Sequence, residues 1–315
     1  MGRVYRRRYR ARVTSSAATA PSVTHVTVDD GTRLPIVCWP AREDGRAEET
    51  GVLLLHGLSQ QARFWGPVAR RMTAGPVAAM DQRCHGYSEA AADCDVSIDR
   101  CARDSLAAVA ALGWQRAVVV GHSWGASVAL RSAARDPERV PAAVLLDGGL
   151  WRLPGDRDEI RTRLRPPALG IPLADLQRLI EADSVIPWDA ERRAALADTY
   201  IVDAQGRART RIGVDRHMRV LDGLLDYDPA PDLQSAATRL WPVVCEPEGH
   251  PPTSGPIDPW TQARATAVAA AGELRGIRLQ RWQGAVHDVP LQWPALVAGL
   301  IDTVHESALA TNGDG

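Results

Sequence analysis

One serine stands in a setting that could make it a nucleophile. Ser123 lies in the run Gly121-His122-Ser123-Trp124-Gly125, which has the spacing G-x-S-x-G. An apolar β-branched run precedes it and an alanine-rich run follows it, so the pattern predicts a buried strand that turns sharply into a helix. The two glycines are needed where the strand and helix backbones come too close for a Cβ atom. The exposed hydroxyl could then attack a carbonyl carbon, and the helix start would favour the negative oxygen that forms.

Such a serine needs a base, and one histidine is well placed to act as one. A serine hydroxyl is a poor nucleophile near neutral pH unless an imidazole takes its proton. His287 follows the last predicted strand, where loops at the carboxyl ends of parallel strands converge, so we predict that it is the general base. The other histidines lie in tight turns, in an edge hairpin, in the final helix, in the middle of the chain or in a proline-rich loop: His25, His56, His85, His122, His217, His250 and His305.

Strands and helices alternate on both sides of Ser123. Besides the strand before this serine, strands are predicted at an edge hairpin (residues 23–39) and at residues 51–55, 77–80, 142–146, 241–245 and 277–282. Helices are predicted at residues 99–112, 126–134, 259–271 and 293–305. This alternation indicates an α/β protein with a mostly parallel sheet flanked by helices.

The alternation stops in the middle of the chain. Residues 150–233 are rich in proline, arginine and tryptophan and contain several short helical patterns but no convincing core strand. We predict that they form a helical cap inserted into a core made of residues 21–149 and 234–308. Residues 1–20 and 309–315 are expected to be disordered tails.

Four short motifs, in the same order along the chain, resemble those of the α/β-hydrolase superfamily. They are His56-Gly57 (the loop beside the oxyanion hole), Asp81-x-Arg83-x-His85-Gly86-x-Ser88 (a D-x-R-G-x-G-x-S-like turn), Gly121 to Gly125 (the nucleophile elbow) and Val286-His287-Asp288 (the terminal histidine loop). The resemblance covers about residues 23–306 apart from the cap, and it implies an α/β-hydrolase fold with a catalytic triad. Cys84 stands where glycine is usual in the second motif, so a less tight turn is expected there.

The resemblance leaves two positions open for the acid that orients the imidazole. In the family the acid usually follows the strand at residues 241–245, and Glu246 and Glu248 are the carboxylates found there. Some relatives place it after the strand next to the elbow strand, where this chain has Asp147. We favour Asp147, which gives the chain order nucleophile, acid, base that is typical of this fold.

The resemblance also indicates which groups would surround a bound substrate. The main-chain N–H groups of Leu58 and Trp124 are expected to form the oxyanion hole. Phe64 and Trp65, in the loop after His56-Gly57, and Trp151, at the start of the cap, are predicted to line the substrate site. Their apolar side chains favour a small-molecule substrate with an apolar acyl group.

Composition narrows the range of functions further. All 37 basic residues are arginine, which excludes Schiff-base chemistry and a P-loop lysine. Six of these arginines lie in the first twenty residues, which contain no acid, so the remainder has 31 basic against 38 acidic residues. Residues 21–315 therefore carry a net negative charge, which argues against nucleic-acid binding by this part of the chain. No apolar run approaches the ~20 residues of a membrane span. Nothing in the sequence determines the oligomeric state.

Neither a metal site nor a cofactor site is expected. The histidines are scattered, no G-x-G-x-x-G follows a strand, and the five cysteines have no spacing typical of zinc. The arginine-rich N-terminus lacks the apolar segment of an export signal, so we expect a cytoplasmic protein with reduced thiols.

These patterns predict a serine hydrolase that cleaves a carboxylic ester, thioester or lactone through an acyl-enzyme intermediate. Two alternatives belong to other classes. One is a non-hydrolytic enzyme on the same scaffold, such as a cyclase or acyl transferase of secondary metabolism. The other is a ligand-binding protein that retains the triad. Labelling with a fluorophosphonate separates the ligand-binding protein from the two enzymes.

Overall fold

The computed structural model describes residues 20–40, 50–166, 170–182, 184–236, 239–248 and 259–310. The predicted N-terminal tail, apart from Ala20, lies outside these ranges, as do His250 and residues 311–315. The last helix extends to Ala310, so residues 309 and 310 are helical although we expected them to belong to a disordered tail.

The described residues form ten strands, eight of which make one central sheet. The strands are β1 (Ser22–Thr27), β2 (Arg33–Trp39), β3 (Thr50–Leu55), β4 (Val77–Met80), β5 (Arg116–His122), β6 (Ala142–Leu146), β7 (Tyr200–Val202), β8 (Ala208–Thr210), β9 (Arg239–Glu246) and β10 (Gln280–Gln283). The order across the central sheet is β1-β2-β4-β3-β5-β6-β9-β10. Strand β2 is antiparallel to both of its neighbours, and the remaining five pairings are parallel. The mostly parallel sheet and the antiparallel edge hairpin predicted from the sequence are therefore confirmed.

Helices cover both faces of this sheet. They are α1 (Gly66–Ala69), α2 (Ile98–Ala111), α3 (Trp124–Arg135), α4 (Arg157–Arg163), α5 (Leu173–Ala182), α6 (Ala190–Ala197), α7 (Val214–Leu225), α8 (Ala230–Ser235), α9 (Pro259–Gly272), α10 (Val289–Gln292) and α11 (Pro294–Ala310), with a 3-10 helix at Ala62–Trp65. Helices α2, α3, α8 and α9 contribute to the apolar core on one face, and α1 and α11 to the core on the other. Buried apolar side chains on both faces make this an α/β layered fold.

The register of the central strands brings the ends of β3, β5 and β6 together. All residues of β3 and β6 are buried, as expected for Val- and Leu-rich strands that are covered on both faces. Leu55 at the end of β3 lies opposite Gly121 of β5, and His122 of β5 lies opposite Leu146 of β6. The loops that follow these three strands therefore leave the sheet side by side, at its carboxyl edge, where sites of parallel sheets are found.

Residues 150–233 contain helices α4 to α7 and most of α8, together with a two-stranded antiparallel sheet that the sequence did not predict. Strands β7 and β8 pair with each other and not with the central sheet. Each has three residues, too few to give a readable alternation of apolar and polar residues.

The turn after β4 accommodates its cysteine in a conformation that is uncommon for a residue with a side chain. Cys84 adopts a positive φ of 68°, the left-handed conformation that glycine would take more readily. The buried carboxylate of Asp81 stabilises the turn by accepting the main-chain N–H groups of Ala62 at 2.7 Å and Tyr87 at 2.8 Å. The Cys84 thiol lies 3.4 Å from that of Cys94, and both are free.

Candidate active site

The sharp turn predicted at Ser123 is present. Ser123 has φ 54° and ψ −119°, an uncommon backbone conformation for a residue with a side chain, directly between β5 and α3. A Cβ atom added at Gly121 would lie 2.1 Å from the carbonyl oxygen of Gly125, and one added at Gly125 would lie 2.5 Å from those of Leu55 and His56. The prediction that both glycines are needed for close backbone approach is confirmed.

A chain of hydrogen bonds links three side chains from three loops. Nε2 of His287 lies 2.9 Å from Oγ of Ser123, and Nδ1 of His287 lies 2.7 Å from Oδ2 of Asp147. An ionised carboxylate can only accept, so Nδ1–H donates to Asp147 and Nε2 is left to accept the proton of the serine hydroxyl. The structure thus brings together the predicted nucleophile, base and favoured acid.

Asp147 occupies a constrained position at the end of β6. Its φ is 49°, and its N–H donates to the carbonyl oxygen of Val243 at 2.8 Å. Its Oδ1 accepts the N–H of Cys245 at 3.0 Å and a hydrogen bond from the guanidinium of Arg264, while Oδ2 faces His287. Both oxygens are therefore occupied, and the carboxylate cannot rotate without losing a partner.

The pKa values of the pair reflect these contacts. Burial raises the pKa of Asp147, but the hydrogen bond to His287, the charges of His287 and Arg264 and the Cys245 N–H outweigh it, so this pKa is lowered overall. Desolvation lowers the pKa of His287, but the hydrogen bond and the charge of Asp147 prevail, so the pKa of the imidazole is raised. A carboxylate that stays ionised is thus paired with an imidazole that readily accepts a proton.

The two alternative acids lie elsewhere. The Glu246 carboxylate pairs with Arg281 at 2.8 Å and accepts a hydrogen bond from Gln283, both on the adjacent strand β10. Glu248 is exposed two residues further along. To orient the imidazole, either glutamate would have to accept the hydrogen bond of His287 Nδ1, and Oδ2 of Asp147 already accepts it.

The two main-chain groups expected to form the oxyanion hole lie on either side of Ser123. Trp124 begins α3, and the loop that contains Leu58 passes close by, since a Cβ atom added at Gly57 would lie 3.2 Å from Cβ of Ser123. Among the described residues, no main-chain carbonyl accepts the N–H of Leu58 or of Trp124. Their role as an oxyanion hole stays a prediction.

Phe64 and Trp65 do not line the site, which corrects our expectation. Both are fully buried, with 0% exposure, in the core under the sheet. The Phe64 ring stacks on the imidazole of His122 with centroids 5.4 Å apart, and it meets Trp65 edge-on at 5.9 Å. The 3-10 helix at Ala62–Trp65 turns their side chains inward, so neither residue has accessible surface that a substrate could contact.

Trp151 makes a contact that the sequence did not predict, and its place at the substrate stays a prediction. Its ring lies under the guanidinium of Arg264, 5.3 Å from ring centroid to Cζ, and it is half-buried. It lines a cavity of about 270 Å³ together with Leu150, Leu233 and Ala267, and neither Ser123 nor His287 lines that cavity. Trp151 therefore lies next to Arg264, the residue that contacts the Asp147 carboxylate.

Sequence reasoning missed two contacts of histidines near the site. Nε2 of His122 lies 2.8 Å from the carbonyl oxygen of His287 and holds the histidine loop in place, while burial lowers the pKa of His122 to about 4. His217 of α7 accepts the Ser59 hydroxyl at Nδ1 (2.7 Å) and donates from Nε2 to the carbonyl oxygen of Leu164 (3.1 Å). The only sign of the second contact in the sequence was Ser59, a residue with a hydroxyl group directly after Leu58.

Arg264 is the third functional candidate that sequence reasoning missed. It lies in the alanine-rich helix α9, over a hundred residues after Asp147, and no motif marks it.

In the described part of the chain, no three His, Cys, Asp or Glu side chains cluster as a metal site requires. None of the described helices is both long enough and apolar enough to cross a membrane.

Comparison with known proteins agrees with this architecture. Residues 51–183 match the family model described as the alpha/beta hydrolase fold. The chain is 32% identical over 216 residues to RutD of Variovorax paradoxus, which is named as a proposed carbamate hydrolase, and the match covers 64% of the chain and 79% of RutD. The chain belongs to the α/β-hydrolase family.

Two further similarities differ in extent. Lipase LipV of Mycobacterium tuberculosis is 39% identical over 100 residues, which is 30% of this chain and 36% of that lipase. The crystal structure of E-2-(acetamidomethylene)succinate hydrolase superposes with a TM-score of 0.69 at 22% identity, over 90% of this chain and 98% of that one. The latter similarity reflects the shared fold.

Proposed function

We propose that this α/β hydrolase is a serine hydrolase that cleaves a carboxylic ester, thioester or lactone through an acyl-enzyme intermediate. The observation that supports this proposal most directly is the chain of hydrogen bonds from Ser123 Oγ to His287 Nε2 and from His287 Nδ1 to Asp147 Oδ2. This arrangement of hydroxyl, imidazole and carboxylate is the one that nucleophilic acyl transfer requires.

The first half of the reaction forms the acyl-enzyme. As Ser123 Oγ bonds to the substrate carbonyl carbon, its proton moves to Nε2 of His287, and Asp147 stabilises the imidazolium. The carbonyl oxygen takes up the electron pair and accepts hydrogen bonds from the N–H groups of Leu58 and Trp124. The imidazolium then protonates the leaving alcohol or thiol as the carbon–oxygen or carbon–sulfur bond breaks.

The second half releases the acid. His287 takes a proton from water, the hydroxide adds to the acyl carbon, and Ser123 leaves with the proton returned from Nε2. Removing one of the two oxyanion donors would typically cost on the order of a hundred-fold in kcat.

The names of the relatives broaden the set of substrates to be tested. LipV is named a lipase, and RutD is named for a carbamate, in which the carbonyl carbon bears a nitrogen. The same serine attack applies to both, so the substrate panel includes p-nitrophenyl esters of increasing acyl length, a thioester, a lactone and an aryl carbamate.

A fluorophosphonate probe followed by mass spectrometry tests the proposal. We expect one adduct on the peptide containing Ser123, no adduct in Ser123→Ala, and retained labelling in the control Ser235→Ala, whose side chain is exposed on α8. Wild-type protein should hydrolyse at least one member of the panel, and Ser123→Ala should not. Labelling at another residue, or hydrolysis that survives Ser123→Ala, contradicts the proposal.

A further inference from the structure

A single arginine makes three contacts behind the candidate triad. Nη2 of Arg264 donates to Oδ1 of Asp147 and also to the carbonyl oxygen of Cys245. The guanidinium lies over the ring of Trp151 at 5.3 Å. The side chains of Arg264 and Asp147 are only 21% and 9% exposed, so this ion pair is screened less by solvent than a surface pair.

We propose that Arg264 is a positioning residue for the acid of the triad, which directs Oδ2 of Asp147 at His287 and limits how strongly the carboxylate stabilises the imidazolium. This inference rests on the proposed serine hydrolase function and adds a residue to it. A carboxylate that accepts bonds on Oδ1 from both Cys245 N–H and Arg264 has one orientation left, and in that orientation Oδ2 meets Nδ1 of His287.

The shape of the arginine side chain suits this role. A guanidinium is planar and offers several N–H groups at fixed angles, so one end can bridge Asp147 and the carbonyl oxygen of Cys245 while its central carbon lies over the ring of Trp151. Cys245 lies in β9, and Asp147 directly follows the neighbouring strand β6. Arg264 thus joins helix α9 to the two strand ends that hold the acid.

The charge of Arg264 acts on the base as well. The titratable and charged groups that act on His287 are Asp147 after β6, Arg264 on α9, His122 at the end of β5 and Asp288 next to it in its own loop. The two carboxylates raise the pKa of His287, whereas Arg264 lowers it. Without the arginine cation the imidazolium would be more stable, and His287 would remain protonated to a higher pH.

The test compares the pH dependence of kcat/KM for wild type, Arg264→Gln, Arg264→Lys and the control Arg281→Gln. Because the reaction needs neutral His287, we expect the acid limb of Arg264→Gln to move to higher pH, so that the ratio of kcat/KM at pH 5.5 to that at pH 8.5 falls roughly three- to ten-fold. Arg264→Lys keeps the charge and should keep the wild-type ratio, with a lower kcat and an unchanged KM because only the orientation is loosened. Arg281 pairs with Glu246 at the surface, and its replacement should leave the profile unchanged.

A second readout does not depend on turnover. In the Ser123→Ala background, the imidazole NMR signal that disappears in His287→Gln should titrate at a higher pH when Arg264→Gln is added. Equal midpoints with and without Arg264, or acid limbs that move equally in Arg264→Gln and Arg264→Lys, overturn the inference.

The two levels of inference fail in different ways. If wild-type protein shows no Ser123-dependent labelling or hydrolysis, the proposed function is wrong, and the kinetic test has no basis. If wild type is active and the arginine variants fold with wild-type Tm but keep the wild-type pH profile and NMR midpoint, only the role of Arg264 is wrong.

Discussion

The central residue-level feature is a carboxylate with both oxygens committed. Asp147 combines a positive φ, a place at the end of β6 and three hydrogen-bond donors, and only one of these donors belongs to His287. Asparagine has nearly the same shape as aspartate but no charge. It would remove the ion pair with Arg264 and would no longer fix the tautomer of His287.

We therefore expect Asp147→Asn to lower kcat by roughly 10⁴ while the protein stays folded, because the amide favours the wrong imidazole tautomer. Glu246→Gln and Glu248→Gln should each cost less than about ten-fold, since neither carboxylate faces His287. Steady-state kinetics on the best ester of the panel, with circular dichroism as a folding control, measures both effects. If a glutamate variant loses its activity while Asp147→Asn stays active, the acid lies at the end of β9 or just after it instead.

Residue types and spacing in the sequence predicted correctly those parts of the site whose geometry depends only on neighbouring residues. The need for Gly121 and Gly125 follows from the turn itself, and that turn is encoded within five residues. The direction of Phe64 and Trp65 depends on a short 3-10 helix that no pattern marks, so their predicted place at the substrate was wrong. Arg264 reaches Asp147 across more than a hundred residues of chain, and contacts of that kind have no local signature.

At the level of elements, the site depends on how closely α3 approaches the ends of β3 and β5. The predicted helix at residues 99–112 is observed at Ile98–Ala111 and the one at residues 259–271 at Pro259–Gly272, because alanine-rich composition and end residues mark both helices well. The predicted last strand at residues 277–282 forms a ladder only at Gln280–Gln283, and Ile277 makes a single bridge to Leu240. Alternation alone does not show where a partner strand begins.

We expect opposite effects from two Gly→Ala substitutions, one where two backbones approach closely and one where the added atom has open space around it. Gly125→Ala should destabilise the fold by several kcal/mol, because the new Cβ would lie 2.5 Å from two backbone carbonyl oxygens. Gly299→Ala, in the middle of α11 with nothing within 4 Å of the added atom, should stabilise it by about 0.5–1 kcal/mol. Urea unfolding of both variants measures the difference. A Gly125→Ala protein as stable as wild type would mean that the turn has more room than the structure shows.

At the level of the whole molecule, buried neutral histidines make stability depend on pH, and the three with the largest changes in pKa are His56, His85 and His122. Burial lowers the pKa of His85 and of His122 to about 4 and lowers that of His56 well below its usual value. In the unfolded chain each would bind a proton below about pH 6.5, so the unfolded state takes up more protons as the pH falls. Burial also lowers the pKa of His217, whereas the raised pKa of His287 acts in the opposite sense, so one group opposes four.

The free energy of unfolding should therefore fall between pH 7 and pH 5, by on the order of 1–2 kcal/mol for each of these three histidines, and the loss should continue toward pH 4. Thermal unfolding at one-half pH intervals at constant ionic strength gives the measurement. A Tm that stays constant from pH 7 to pH 5 would show that these imidazoles can be charged inside the fold.

The hydrogen bonds of His217 couple helix α7 to the loop that contains Leu58. This imidazole ties Ser59, next to Leu58, to helix α7 and to the carbonyl oxygen of Leu164. A displacement of α7 would break or pull on the hydrogen bond to Ser59, so the position of the Leu58 N–H depends on where α7 lies. A ligand that binds only while α7 keeps this place therefore favours the arrangement of the loop described here.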